Sequence, residues 1–144
     1  MRTFVAFAAL LLSACGARAT PDIAISNGWA RATVAGQTDA AAYLTISNRG
    51  GGEDRLVDVS IPRAGMAMLH GSTMNAGVMR MRALSDGLRI PAHTKVALAP
   101  NGAHIMLSGL TAPLRPGEQF PATLRFAKSG TRQATIKVEQ ASAR

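Results

Sequence analysis

Turn-forming residues recur about every eight to twelve positions along this chain, with no long apolar helical stripe between them. That spacing, with no helical stripe, predicts strands in an all-β sandwich or barrel. The breaks are Asn48-Arg49-Gly50-Gly51-Gly52, Asn75-Ala76-Gly77, Pro91, Pro100-Asn101-Gly102, Pro113, Pro116-Gly117 and Ser129-Gly130. The triple glycine reads as a flexible turn, because glycine accepts positive φ freely. Between the breaks the spacing predicts strands at Ile23–Arg31, Ala40–Asn48, Arg55–Ile61, Ala67–Met74, Val78–Ala83, Lys95–Leu98, His104–Leu110, Glu118–Phe126 and Gln133–Glu139. Alternation is clearest at the end: Ala122, Leu124 and Phe126 share one face, and Ala134, Ile136 and Val138 share another. One-sided burial of that kind belongs to antiparallel sheets packed face to face. Pro121 marks an edge or a bulge in its strand, since proline cannot donate to a ladder.

The 144 residues make room for one domain. The first residues stand apart from it. Met1-Arg2-Thr3 is a short basic start, and Phe4 to Leu12 is apolar but too short to span a bilayer, which takes about 20 residues. This is the form of an export signal. Leu12-Ser13-Ala14-Cys15 closes it in the pattern of a bacterial lipobox, with Cys15 as the lipid attachment site. A competing small-x-small cleavage signal, Ala17-Arg18-Ala19, would instead release a soluble periplasmic protein. The organisation expected is a signal peptide with lipobox over 1–15, a short tether over 16–22 and a β-sandwich domain over 23–140.

Cys15 is the only cysteine, so the chain has no intrachain disulfide, no Cys-x-x-Cys pair and no thiolate metal site. A blue-copper centre is excluded with them, because it needs a cysteine ligand. The formal net charge of +8 is spread without a basic stripe, and one Tyr and one Trp offer little for base stacking. That argues against nucleic acid as a partner and leaves a solvated basic surface or an anionic membrane face. Nor is there a paired-carboxylate site, a Ser-His-Asp order or a phosphate-cradling loop; Gly50-Gly51-Gly52 lacks the strand-to-helix context such a loop needs. The chain is read as a non-enzyme.

What it does carry is a concentration of soft donors. Every methionine except Met1, and all three histidines, fall between Met66 and Met106. His104 and Met106 lie two apart, as do Met79 and Met81, so each pair shares a strand face. Taking Ala67–Ala83 as one hairpin puts His70 across from Met81. Imidazole with thioether is a ligand set that favours Cu(I) over zinc, magnesium or calcium. Thioethers carry no proton to lose, and only the imidazoles must be neutral; free histidine titrates near pH 6.5. The competing reading makes the methionines core fillers, which is their common use. The protein would then be a structural or adhesive β-sandwich lipoprotein without metal. A copper redox enzyme or electron carrier is a third reading, which the lack of cysteine ligands disfavours. His93, after Pro91-Ala92, is read as exposed and non-ligating, Met79 as packing beside the site, and Trp29 and Tyr43 as core aromatics.

The run from His70 to Met81, ten residues between them, then twenty-two residues, then His104-Ile105-Met106, resembles the periplasmic copper chaperone family called PCu(A)C. Trp29-Ala30-Arg31-Ala32, Ala41 to Ile46, Leu88 to Ala92 and His104 to Leu110 also resemble it. The resemblance implies a cupredoxin-like Greek-key β-sandwich and an exposed Cu(I) site made by His70, Met81, His104 and Met106. It implies a monomeric carrier supplying copper to the CuA subunit of cytochrome c oxidase, alongside a Sco-type thiol protein. Two features depart from the family. Gly71 and Ser72 stand where members often have methionine, and the tail Glu139 to Arg144 lacks the histidines and methionines that some members carry there.

Overall fold

The computed structural model describes residues 19–140, so Cys15, the lipobox and the first tether residues lie outside it. Among the described residues there is no helix. Ten strands follow in order: β1 Ile23–Arg31, β2 Ala40–Asn48, β3 Asp54–Ser60, β4 Ala64–Asn75, β5 Val78–Ala83, β6 Leu88–Ile90, β7 Thr94–Leu98, β8 His104–Leu110, β9 Gln119–Phe126 and β10 Gly130–Glu139. Nine correspond to expected strands. The addition is β6, whose three residues are too short to show alternation. It forms because β3 offers it a ladder, Asp54↔Ile90 to Leu56↔Leu88.

The strands hydrogen-bond in the order β5-β4-β8-β2-β1-β10-β9-β3-β6, with β7 also on β2. β1 and β10 run parallel and the other pairs are antiparallel. β2 divides one edge between two partners, β8 along Ala40–Ala42 and β7 along Leu44–Asn48. Neighbours distant in sequence, such as β4–β8 and β9–β3, are the crossovers of a Greek key. The path curls into the cupredoxin-like sandwich, with Leu44, Ile46, Ile105, Leu107 and Ile136 buried from one half and Leu56, Ile90 and Leu124 from the other. Ala122, Leu124 and Phe126 are buried as their alternation requires. Pro121 pairs with Thr135 on β10, beyond the end of the β3 ladder at Thr123, so β9 is locally an edge there.

Two buried polar side chains tie the layers together. Asn48 donates to the carbonyls of Gly52 (2.8 Å) and Pro91 (3.1 Å), and accepts from the N–H groups of Asp22 and Gly50. The triple-glycine loop is therefore a fixed element rather than a flexible turn. Its glycines are needed for close approach, not positive φ: a Cβ on Gly50 would run into the Thr20 carbonyl oxygen, and one on Gly52 into that of Ala19. Asp54 accepts from the backbone N–H groups of Arg55 (2.8 Å), Lys128 (2.9 Å) and Ser129 (2.9 Å), clamping the β9–β10 turn to β3. Burial alone would raise its pKa, but the hydrogen bonds from the backbone N–H groups of Arg55, Lys128 and Ser129 outweigh burial and lower it.

Candidate metal centre

The site is built on the outward face of β4 and its neighbours. Along β4 the odd positions turn inward, Leu69 being buried and Ala67 packed on the core. The even positions Met66, Met68, His70, Ser72 and Met74 therefore face out. On β8, Ile105 and Leu107 are core, which turns His104, Met106 and Ser108 outward. The register joins these rows: His70 lies opposite His104, Met68 opposite Met106 and Met66 opposite Ser108. The two imidazole rings meet edge to face, 5.8 Å between centroids.

His104 is held from both sides. Tyr43, on the neighbouring strand β2, packs 6.5 Å away and is itself stacked on Trp29 at 4.4 Å. The Nδ1 of His104 lies 3.0 Å from the carbonyl oxygen of Gly102, in the turn between β7 and β8. That turn is closed by Ala99 and Ala103 (2.9 Å) and carries Asn101 at φ 66°. A carbonyl can only accept, so Nδ1 carries the proton and the lone pair is left on Nε2. This is the arrangement that orients histidine ligands and fixes their tautomer.

β5 adds the remaining donors. Ala83 lies opposite His70, Met81 opposite Ser72 and Met79 opposite Met74. Met81 is thus diagonal to His70, two positions nearer the hairpin tip than the equidistant reading placed it. The cause is the loop: Asn75 pairs with Val78, leaving only Ala76 and Gly77 unpaired, both at positive φ. His70, His104, Met106 and Met81 all share the outward face. Met106 is half-buried and Met81 is 60% exposed.

The core-filler reading fails on exposure. Met66 is 54% exposed, Met68 38%, Met74 65% and Met79 43%. Every methionine of the described chain lies on this one face, and its positions on β4, β5 and β8 carry no carboxylate. Among the described residues, no three His, Cys, Asp or Glu side chains cluster as a metal site. The donors available are neutral imidazole and thioether, a set that fits Cu(I).

A family model described as LpqE-like matches residues 23–138. The chain belongs to this family of PCuAC domains. A protein of Leifsonia xyli subsp. xyli named as a lipoprotein is 35% identical over 120 residues, covering 83% of this chain and 71% of that protein. Two solved PCuAC relatives share the fold. The copper-bound PCuAC domain from PmoF2 is 27% identical, with a TM-score of 0.68 over 82% of this chain and 92% of that one. The Cu(I) form of DR1885 from Deinococcus radiodurans is 30% identical, with a TM-score of 0.68 over 89% and 85%.

Three placements in this PCuAC domain differ from sequence reasoning or escaped it. Trp29 and Tyr43 are buried, but they stand outside the core cluster on the same outward face as His104. Met68 carried no role of its own, yet it adjoins His70 and faces Met106. Its signal was its even spacing from His70 along one strand. Met79 pairs with Met74 at the hairpin tip rather than lying beside the histidine pair. His93 is exposed, as expected, at the far end of β2 beside the Ser47–Lys95 pairs.

Proposed function

We propose that this PCuAC protein is a copper chaperone. It binds one Cu(I) tightly through Nε2 of His104, His70, Met106 and Met81, and passes it on for assembly of the CuA centre of cytochrome c oxidase. The observation that carries this reading is the exposed thioether face around two paired imidazoles, one with its lone pair already presented. The copper-bound solved relatives support it. Met81 and Met106 flank His70 from opposite directions, with Cα atoms about 16 Å apart by strand spacings alone. Gathering both sulfurs on one ion curls β5 toward β8. β5 can make that motion because it is the free edge of the sheet and exposed along its whole length.

A site of neutral donors on an edge hairpin suits transfer. Thiolates of a Sco-type protein or of the CuA subunit bind Cu(I) more strongly than thioethers and can replace them one at a time. The metal changes partners without changing charge, so no redox step is needed. The carrier is monomeric, exported and held at a bacterial membrane by lipid on Cys15, facing the periplasm. The lipoprotein name of the Leifsonia relative supports that anchor. Titration with Cu(I) against a competing chelator tests the function: one tight equivalent is expected, weakened in Met106→Leu and His104→Ala. Undiminished binding in both variants would refute it. Mass spectrometry of the mature N-terminus tests the anchor, which an unmodified chain beginning at Thr20 would exclude.

A further inference from the structure

Met74 and Met79 are direct cross-strand partners at the tip of the β4–β5 hairpin, and Met81 follows two positions along the same face. Directly opposed strand residues have Cβ atoms about 5 Å apart, and diagonal or i, i+2 neighbours lie within reach of long side chains. Three flexible thioethers thus converge on one patch, with the Ser72–Met81 pair standing between Met74–Met79 and His70. All three are exposed, so the core does not account for them. Strand propensity does not account for them either, since exposed hairpins favour β-branched, aromatic or polar residues.

We propose that Met74, Met79 and Met81 form a second, all-thioether site for a soft monovalent cation, Cu(I) above all. Three neutral sulfurs satisfy a d10 ion that accepts low coordination, and they exclude hard cations. Met81 belongs to both donor sets. An ion on the tip triad therefore reaches the histidine pair by exchanging ligands around one shared sulfur, with no bond other than metal–ligand bonds made or broken. Arg80 and Arg82 alternate with the methionines on β5 and register against Thr73 and Gly71, on the reverse face. They flank both donor sets alike, and the tip is the weaker of the two because it offers three thioethers and no imidazole. A weak outer station beside a tight inner one is a graded path for delivery or release.

Silver(I) is the probe, being soft, d10 and stable in air. With the full chain, the first equivalent of silver is expected to shift the imidazole resonances of His70 and His104. The second, held by Met74 and Met79 while Met81 stays on the first ion, is expected to shift the methyl resonances of Met74 and Met79. A His70→Ala/His104→Ala variant should keep one silver ion with sulfur neighbours alone in X-ray absorption, lost when Met74→Leu and Met79→Leu are added. Silent Met74 and Met79 methyls at two equivalents in the parent would overturn the proposal and leave the tip an apolar patch; this measurement needs no variant to fold. Methyl shifts with silent imidazoles would uphold the tip site while refuting the histidine site, so the two readings fail separately.

Discussion

The hydrogen bond from Nδ1 of His104 to Gly102 decides which nitrogen of that ring can bind a metal, and it does so before any metal arrives. The ring is also braced by Tyr43, so little side-chain entropy is left for binding to remove. In the proposed site the methionines have the opposite character, as long flexible donors free to close on an ion. Two kinds of substitution separate ligand from packing. Met81→Leu and Met106→Leu conserve volume and apolarity, so each should cost the fold less than about 1.5 kcal/mol. Each removes a sulfur donor, so Cu(I) affinity should fall by about tenfold or more, the scale on which even supporting groups of metal sites act. His104→Ala should weaken binding as well, whereas His93→Ala, in the distant β6–β7 turn, should leave it unchanged. Chelator competition reads all four. Leu variants that bind as the parent does would return the methionines to packing.

At the scale of the element, the β4–β5 hairpin carries the argument. Its two-residue loop places Ala76 at φ 49° and Gly77 at φ 79°, the left-handed pair that a type I′ turn demands. Glycine adopts that conformation freely, but alanine pays about 1–2 kcal/mol for it. Ala76→Asn supplies the residue this turn prefers and should stabilise the hairpin by up to about 1 kcal/mol, seen as slower amide hydrogen exchange across β5. Unchanged or faster exchange would mean that the turn does not limit hairpin order. Copper should act on the same amides. If the hairpin curls to bring Met81 to the ion, Cu(I) loading slows exchange in β5 and the outer half of β4 and leaves the β9–β10 pair untouched.

For the molecule as a whole, the Asp54 clamp sets the response to acid. Its carboxylate pKa is lowered in the folded chain, because hydrogen bonds from three backbone N–H groups outweigh burial. A carboxylate so placed contributes stability that is fully present above its unfolded pKa of about 3.9. That contribution fades as pH falls through the lower folded value. Asp54→Asn should therefore destabilise the protein at neutral pH by about 1–3 kcal/mol, the scale of hydrogen bonds to a charged group. The deficit should shrink in acid, where the parent loses the charge too. Denaturation midpoints at neutral and acid pH decide it, and an equal deficit at both would show that the charge does not matter.

The all-β class, the strand positions and the grouping of soft donors were legible along the chain, because turn chemistry and alternation are local properties. The lack of cysteine ligands was equally plain from composition. Register was not. That Met81 faces Ser72 rather than His70, that Met68 meets Met106, and that all the methionines of the described chain share one face depend on which strands pair and how. The outward stacking of Trp29 and Tyr43 beside His104 was hidden for the same reason, since an aromatic residue in a strand reads as core until the covered face is known. Pairing between strands tens of residues apart is settled by the energy of the whole sandwich. A one-residue slip would turn every one of these side chains to the other face, so the proposed copper site existed in the sequence as a list of donors and is assembled only through the fold.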